Sequence, residues 1–196
     1  MYSQNNEEQF ILAHFKGKIG RFLDIGAYDG RTFSNTLALV EQGWTGVCVE
    51  PSPSVFVSLL KLHGKNPRVK LVNATVGFKT EFVNFYDSDG DAISSLSLAH
   101  VAKWTANSPV VFTPYYVYTI TLPMLFDQFG CDYDFINIDV EGSSYQLFTT
   151  LPMHRLDKTT LLCVEHDGNL TQAIQVGNNF NFHALTSNGE NVILAR

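Results

Sequence analysis

The stretch "RFLDIGAYDGRT", residues 21–32, decides the fold. It begins with an apolar run, continues into a turn rich in Gly and Asp, and is followed by a segment with a helix-like pattern. A buried strand, a tight turn and a helix in this order make up the first half of a βαβ unit. The stretch therefore predicts an α/β fold, in which the turn lies against a small ligand or forms an ordinary loop.

Apolar runs alternate with amphipathic segments along the rest of the chain. Runs rich in Val, Ile, Leu and Phe are typical of strands that are buried on both faces of a parallel sheet. Gly43 and Gly64 are expected to end two helices, and Ser143 to cap a third. The predicted strands are 19–25, 45–50, 68–74, 133–139 and 159–165, and the predicted helices are 32–43, 52–64 and 144–151.

Two segments depart from this alternation. Residues 80–121 contain two strand-like runs around a Gly-, Asp- and Ser-rich stretch, which we interpret as an insertion that carries binding loops. The tail, 179–196, has the turn "SNGEN" between two strand-like runs and predicts an antiparallel hairpin. The fold class is therefore α/β, with a doubly wound, mostly parallel, seven-stranded Rossmann-like sheet in a single domain, 1–196.

Composition limits the partners of the chain. Its 196 residues are 45% hydrophobic and carry a net charge of −6, whereas a nucleic-acid surface needs clustered Lys and Arg. The first residues are polar and acidic, and no apolar run approaches the roughly 18 residues of a membrane span. We therefore expect a cytoplasmic protein with no nucleic-acid or membrane partner. Cys48 and Cys163 lie in apolar runs, so we expect neither a disulfide nor a zinc site.

Polar side chains stand at the ends of the predicted strands. In open α/β sheets, ligands bind outside the carboxyl ends of the strands, near the point where the strand order reverses. The residues at these ends are Asp24, Glu50, Asn73, Asp139 and Glu165. We expect the sheet to bring them to one edge, where they form a binding site.

The first turn indicates the charge of the ligand. Gly26 and Gly30 lack the middle glycine of the dinucleotide fingerprint, and Asp24 and Asp29 would repel a pyrophosphate. Glu50, at the end of the second strand, is placed to accept the hydroxyl protons of a ribose. A cationic cofactor with a ribose, such as S-adenosylmethionine, fits this combination. The alternatives are that the aspartates are ordinary turn formers, or that the chain is an NAD-type nucleotide-binding module.

Several motifs resemble those of the FkbM-type S-adenosylmethionine-dependent methyltransferases. The similarity covers almost the whole chain. It comprises "SQ" (3–4), "EEQFILAHF" (7–15), "FLDIGAYDGRTFSNT" (22–36), "GWTGVCVEPSP" (43–53), "DFINIDVEGSSYQLF" (134–148) and "VEH" (164–166). The resemblance implies a class I methyltransferase fold and methyl transfer to an oxygen of a sugar, a glycan or a small metabolite.

The same resemblance implies roles for particular residues. The first cofactor motif comprises Asp24, Gly26, Ala27, Tyr28, Asp29 and Gly30, the ribose motif comprises Glu50 and Pro51, and the "D.EG" element comprises Asp139, Glu141 and Gly142. Ser144 and Pro123 stand where family members commonly have an acidic residue. These departures keep open the alternative of a non-catalytic domain that retains the fold as an interaction module.

The catalytic candidates follow the fourth and fifth strands. Methyl transfer to a hydroxyl needs close alignment and gains from a base within hydrogen-bond reach. His166 or Glu141 is the predicted base, and Asp139 is expected to face the cofactor. Asn73, together with Ser94 and Ser95 of the insertion, is added to the predicted cofactor site.

A metal site is the alternative use of these acidic residues. Asp139, Glu141, Glu165 and His166 offer mainly oxygen ligands, which favour Mg²⁺ or Ca²⁺. Carboxylates also collect at strand ends simply because these ends face solvent. A divalent cation is therefore possible but not expected, and the oligomeric state is left open.

Overall fold

The computed structural model describes all residues, 1–196, and contains two β-sheets. The helices are α1 (Glu7–Phe15), α2 (Leu37–Glu41), α3 (Pro53–His63), α4 (Leu98–Asn107), α5 (Leu122–Phe129), α6 (Ser144–Thr149) and α7 (Leu170–Asn178). The strands are β1 (Arg21–Ile25), β2 (Thr45–Val49), β3 (Val69–Val72), β4 (Thr75–Gly77), β5 (Phe82–Asp87), β6 (Thr113–Thr121), β7 (Phe135–Ile138), β8 (Leu161–Glu165), β9 (His183–Ser187) and β10 (Asn191–Ala195).

The larger sheet has seven strands in the order β3-β2-β1-β7-β8-β10-β9. β1 is parallel to both neighbours, and Asp24 lies opposite Cys48 of β2 and Asn137 of β7. β10 is antiparallel to β8 and to β9, which is the predicted C-terminal hairpin. The predicted doubly wound, seven-stranded fold is confirmed. The strand order reverses between β1 and β7, which places the ligand crevice beside their carboxyl ends.

The central strands are buried on both faces. Leu23, Val47 and Ile136 belong to a core of 22 buried residues on one face. Phe22, Cys48 and Phe135, on the alternate positions of the same strands, belong to a core of 14 residues on the other face. Because side chains alternate along a strand, two covered faces require the continuous apolar runs of the sequence.

The first predicted helix, 32–43, is wrong at its beginning, because α2 starts only at Leu37. The Asp29 carboxylate accepts hydrogen bonds from the backbone N–H of Arg31 and Thr32, both at 2.7 Å, and Phe33 has a φ of 58°. These local bonds hold the segment before α2 in turns, since an Asp side chain competes with helical hydrogen bonding. Gly43, with a φ of 100°, follows the end of α2 as predicted.

The other two predicted helices are present as α3 and α6, and their N-termini are capped in different ways. Ser52 caps α3 by accepting a hydrogen bond from the N–H of Val55 at 3.3 Å. The predicted cap of α6 by Ser143 is wrong, because the Ser143 side chain makes no capping bond. Asp167, from the loop after β8, accepts from the N–H of Tyr145 at 2.9 Å instead. The cap of α6 therefore comes from a neighbouring loop that local sequence does not reveal.

The segment 80–121 forms most of the smaller sheet, whose order is β4-β6-β5, together with α4. β5 and β6 pair antiparallel, with Val83 opposite Val117. Pro123 is the second residue of α5, where the missing N–H of proline costs no helical hydrogen bond. The departure at Pro123 thus fits a helix start. None of the helices is both long and apolar enough to cross a bilayer.

Candidate functional site

A cavity lies at the carboxyl ends of β1, β2 and β7, where the topology places the ligand crevice. Of the twelve residues predicted to bind the cofactor, eight line its wall. They are Asp24, Gly26, Ala27, Tyr28, Glu50, Pro51, Ser94 and Asp139. The other four, Asp29, Gly30, Asn73 and Ser95, lie outside the lining.

Asp24 anchors a buried polar network beneath the cavity. Its carboxylate accepts hydrogen bonds from Thr36 Oγ1 at 2.6 Å and from Asn137 Nδ2 at 2.8 Å, and burial raises its pKa. Asn35 Nδ2 donates to Asn137 Oδ1 at 3.0 Å, whereas Asn35 Oδ1 is buried without a partner. Asn35 also lines the cavity wall. Sequence reasoning missed Asn35 and Asn137, since only the assembled sheet and loop bring them to Asp24.

Glu50 is held between two backbone N–H groups. Its Oε2 accepts from the N–H of Tyr28 at 2.9 Å and its Oε1 from the N–H of Ser52 at 2.7 Å. Burial raises the pKa of Glu50 to about 7, although both backbone hydrogen bonds oppose this shift. The carboxylate is thereby fixed in one orientation at the cavity wall, with acceptor capacity remaining on each oxygen.

The glycines of the first turn serve packing within the protein. A Cβ on Gly26 would lie 1.6 Å from the carbonyl oxygen of Asp139, so glycine here allows the β1 and β7 loops to touch. A Cβ on Gly30 would lie 2.6 Å from Leu59 of α3. Gly26 also lines the cavity, whereas Gly30 precedes the turns that lead to α2. Asp29 bonds the backbone of its own turn, which matches the alternative that it is an ordinary turn former.

Asn73 and Ser95 position loops instead of lining the cavity. Asn73 Nδ2 donates to the carbonyl oxygens of Glu50 at 2.8 Å and Pro51 at 3.1 Å, which holds the end of β2. Ser95 is fully buried, and its hydroxyl donates to the carbonyl of Glu141 at 2.5 Å. Both residues therefore support cavity-lining neighbours without contacting the cavity.

The segment between β5 and α4 covers the cavity. Asp91, Ala92, Ser94 and Leu96 of this segment line the wall, and the Tyr28 hydroxyl donates to the carbonyl of Gly90. The insertion thus contributes directly to the enclosed space, between the turn after β1 and the small sheet.

Comparison with known families identifies the chain. The family model described as "Methyltransferase FkbM domain" matches residues 24–188. The chain belongs to the FkbM methyltransferase family. It is therefore an S-adenosylmethionine-dependent methyltransferase with the class I, Rossmann-like fold. A comparison with curated protein sequences finds no match.

Solved structures share the fold of this methyltransferase at low sequence identity. The precorrin-6y C5,15-methyltransferase of Geobacter metallireducens has 12% identity and a TM-score of 0.56, with 100% of this chain and 93% of that chain covered. A putative O-methyltransferase of Klebsiella pneumoniae has 14% identity and a TM-score of 0.54, with 98% and 80% covered. Fibrillarin of Aeropyrum pernix, solved with natively bound S-adenosyl-L-methionine, has 12% identity and a TM-score of 0.51, with 96% and 75% covered.

Three carboxylates of the methyltransferase crowd together beside the cofactor cavity. One oxygen from each of Asp139, Glu141 and Glu165 lies within 4.8 Å of the others, and we call these residues the acid cluster. Burial, and then the charge of Glu165, raises the pKa of Asp139 well above its usual value. Burial likewise raises the pKa of Glu141 to about 8 and that of Glu165 to about 7, with further contributions from neighbouring carboxylates.

Ser144, a departure from the family pattern, is part of this arrangement. Its hydroxyl donates to Glu165 Oε2 at 2.6 Å and accepts from the N–H of Val140 at 2.8 Å. An acidic side chain at 144 would add another negative charge next to Glu165. The serine therefore orders the acid cluster and keeps its charge lower.

A second cavity, of about 740 Å³, adjoins the acid cluster. Asp139 and Glu141 line both cavities, while Glu165, His100 and Trp104 line the second. Most of its lining is polar, and both His100 Nε2 and Trp104 Nε1 are buried there without hydrogen-bond partners. Sequence reasoning missed these two residues, because they belong to α4 and reach the site only through the packing of the insertion.

His166, one of the two predicted bases, lines the second cavity, but both of its ring nitrogens contact backbone groups of the protein. Its Nδ1 accepts from the N–H of Gly168 at 3.1 Å, and its Nε2 lies 3.3 Å from the carbonyl oxygen of Asn188. Because both ring nitrogens have protein partners, the geometry favours Glu141 over His166 as the base.

Proposed function

We propose that this methyltransferase transfers a methyl group to a hydroxyl oxygen of a sugar, a glycan or a small polyhydroxylated metabolite, and that Glu141 receives the hydroxyl proton. The observation that supports the proposal most strongly is the position of Asp139 and Glu141, which line both cavities. A methyl donor in one cavity and an acceptor in the other would meet beside these carboxylates.

The first cavity fits S-adenosylmethionine by charge and by hydrogen bonding. Asp24, Glu50 and Asp139 supply an acidic wall, which favours a ligand with a sulfonium and an ammonium group. We assign the ribose hydroxyls to Glu50, whose orientation is fixed by Tyr28 and Ser52. The unpartnered Asn35 Oδ1 is an acceptor for the ammonium group.

The second cavity supports a polyhydroxylated acceptor. Its size is sufficient for a small metabolite, and its lining combines carboxylates with the unpartnered donor Trp104 Nε1. Hydroxyl groups donate to carboxylates and accept from indole N–H groups, so a polyhydroxylated acceptor can form hydrogen bonds with both kinds of lining group. An apolar acceptor would leave them buried without partners, which is costly.

The mechanism requires alignment and removal of one proton. When bound, S-adenosylmethionine supplies a methyl group activated by the positive sulfur. The acceptor oxygen would displace the sulfur at the methyl carbon, and the carboxylate of Glu141, which lines both cavities, would take up the hydroxyl proton. Close alignment of the two reacting atoms accounts for much of the rate in such a displacement. Asp139 lies on the same wall and is assigned to the donor side.

Calorimetry is the first test of the cofactor site. Titration of one protein sample with S-adenosylmethionine and with NAD should show binding of the former alone. Asp24→Ala and Glu50→Ala should weaken that binding strongly, while Asp29→Ala, a matched change in the same turn, should retain it. Binding of neither ligand would support a non-catalytic domain, and binding of NAD would support the nucleotide-binding alternative.

Isotope transfer tests the acceptor. The protein is incubated with methyl-labelled S-adenosylmethionine and panels of sugars, glycans and small phenols, and the product is examined by NMR. A labelled O-methyl group supports the proposal. Label on carbon or nitrogen, or label transferred equally well by Glu141→Gln, would contradict it.

A further inference from the structure

We propose that the acid cluster and His100 together form a binding site for one divalent metal cation, with Mn²⁺ bound more tightly than Mg²⁺ or Ca²⁺. Metal binding itself does not depend on the proposed methyl transfer. Only its catalytic consequence rests on that function.

The spacing of the carboxylates suits a shared cation. Oxygens no more than 4.8 Å apart can lie about 2.8 Å or less from a common centre, close to the 2.0–2.6 Å of metal–oxygen bonds in proteins. A small inward movement of the side chains would complete the coordination. The cluster is only partly buried, so a cation can reach it from the second cavity.

His100 provides an independent indication of a ligand. Its side chain is only 9% exposed, and its Nε2 has no hydrogen-bond partner while lying 3.7 Å from Glu141 Oε2. That separation is too long for a hydrogen bond. It is compatible with two ligand atoms of one cation, which lie about 3–4 Å apart when each is about 2.1–2.3 Å from the metal. His100 lies outside the group of ligand atoms within 4.8 Å of one another, so its imidazole must move toward the other carboxylates when the cation binds.

The backbone is shaped to bring His100 to the cluster. Gly142 follows Glu141 and has a φ of 81°, and a Cβ there would lie 3.0 Å from the His100 Cβ and 3.2 Å from its Nδ1. Glycine therefore leaves room for the histidine beside the loop that carries Asp139 and Glu141. Ser144 fixes Glu165 from the opposite side.

No Lys or Arg forms an ion pair with the cluster, although the charge of Lys103, which lines the second cavity, acts on Glu141 and lowers its pKa. The three ion pairs of the chain that involve Lys or Arg are formed by Asp132 and Asp127, and only His100 lies within ion-pair distance of Glu141. Three adjacent carboxylates without a Lys or Arg partner are stabilised either by protons or by a cation. A bound cation would relieve the repulsion among the three carboxylates.

The ligand set indicates which cation binds best. Carboxylates suit Mg²⁺, Ca²⁺ and Mn²⁺, whereas imidazole is a better ligand for transition metals. Three carboxylates with one imidazole therefore favour Mn²⁺ among these three. His166 is left out of the set because both of its ring nitrogens are engaged.

Metal titration tests the site without any methyl acceptor. Protein stripped with chelator is titrated with MnCl₂, and free Mn²⁺ is followed by electron paramagnetic resonance. The wild type should bind one Mn²⁺ per chain. Glu165→Gln should lose this binding, and His100→Ala should weaken it at least about 10-fold. His183→Ala, an exposed histidine on β9, is the matched control and should bind as the wild type does.

Cofactor binding by the same variants separates the two proposals. Glu165 and His100 do not line the first cavity, so both variants should still bind S-adenosylmethionine if they are folded. No Mn²⁺ binding by the wild type up to about 1 mM, or a His100→Ala variant that binds as tightly as the wild type, overturns the metal site. A wild-type protein that binds Mn²⁺ but does not bind S-adenosylmethionine would overturn the proposed function alone.

Discussion

The two cavities share one edge of the sheet but differ in how their polar groups are satisfied. Around the first cavity, which we propose as the donor side, Asp24 and Glu50 each accept two hydrogen bonds from the protein itself. Around the second cavity, the proposed acceptor side, the acid cluster forms no ion pair with Lys or Arg, and His100 Nε2 and Trp104 Nε1 are buried without hydrogen bonds.

This difference shows around which cavity the polar groups already have their hydrogen-bond partners before a ligand binds. A carboxylate held by backbone N–H groups keeps its position whether or not the cofactor is present, which lowers the cost of binding. Crowded carboxylates and unpartnered nitrogens raise the energy of the free protein and are relieved by a cation or an acceptor. The donor side is therefore built for one constant ligand, whereas the acceptor side depends on what binds there.

The largest expected effect is on the rate of Glu141→Gln. Removal of a general base commonly costs about 10²–10⁴-fold in kcat, and glutamine cannot take up the proton. In metal-free wild type, kcat should rise with pH, reach half of its maximum near pH 8 and level off above about pH 9, because the base form of Glu141 prevails only above its pKa of about 8. Steady-state kinetics across pH will test this. If kcat is unchanged in the variant, or if the kcat of the wild type falls as pH rises, Glu141 is not the catalytic base. Glu81→Gln, a change at an exposed position, is the control.

The next largest effect is on cofactor affinity in Glu50→Ala. Loss of two charge-assisted hydrogen bonds to a ribose should weaken S-adenosylmethionine binding about 100-fold, with a smaller effect on the saturated rate. Isothermal titration calorimetry measures the affinity. A variant that binds the cofactor as the wild type does would show that the donor side is not organised around Glu50.

The pH dependence of stability should reveal the buried Glu50 directly. The pKa of Glu50 in the folded state, about 7, exceeds its ordinary value of 4.5. Between pH 4.5 and pH 7, the folded protein therefore binds more protons at this position than the unfolded chain does. Relative to Glu50→Gln, the wild type should therefore lose stability as pH rises from 5 to 8, by at most about 3 kcal/mol. Thermal unfolding of both proteins at the two pH values provides the comparison. A difference that is constant with pH would contradict the raised pKa.

The smallest effect is expected for Trp104→Phe. This change removes the unpartnered indole N–H but keeps an aromatic ring, so the KM for the acceptor should rise about 5-fold, or about 1 kcal/mol. Cofactor affinity should stay unchanged, because Trp104 does not line the first cavity. An equal change in the KM for the acceptor and in the Kd for S-adenosylmethionine would mean that the two cavities are not separate in function.

The residues around the first cavity were more predictable from the sequence than those around the second cavity. Asp24, Glu50 and Asp139 follow recognisable buried strands, and the rules of parallel sheets place such residues at one edge. The same reasoning cannot separate Asp24 from Asp29, because only the folded turn shows that Asp29 bonds to its own backbone. His100 and Trp104 lie in an insertion helix, and their approach to the cluster depends on contacts with Gly142 and the second cavity rather than on local pattern.

The close approach of Gly26 to Asp139 has a consequence for engineering new acceptor preferences. The N–H of Asp139 donates to the carbonyl of Ile25 at 2.9 Å, and no side chain fits between the two loops at Gly26. Redesign of the loop that begins at Asp139 will therefore displace the turn after β1, which lines the first cavity. Libraries for a changed acceptor should leave this backbone junction intact and vary Ala99, Lys103 and Trp104 of α4, which line the second cavity and not the first.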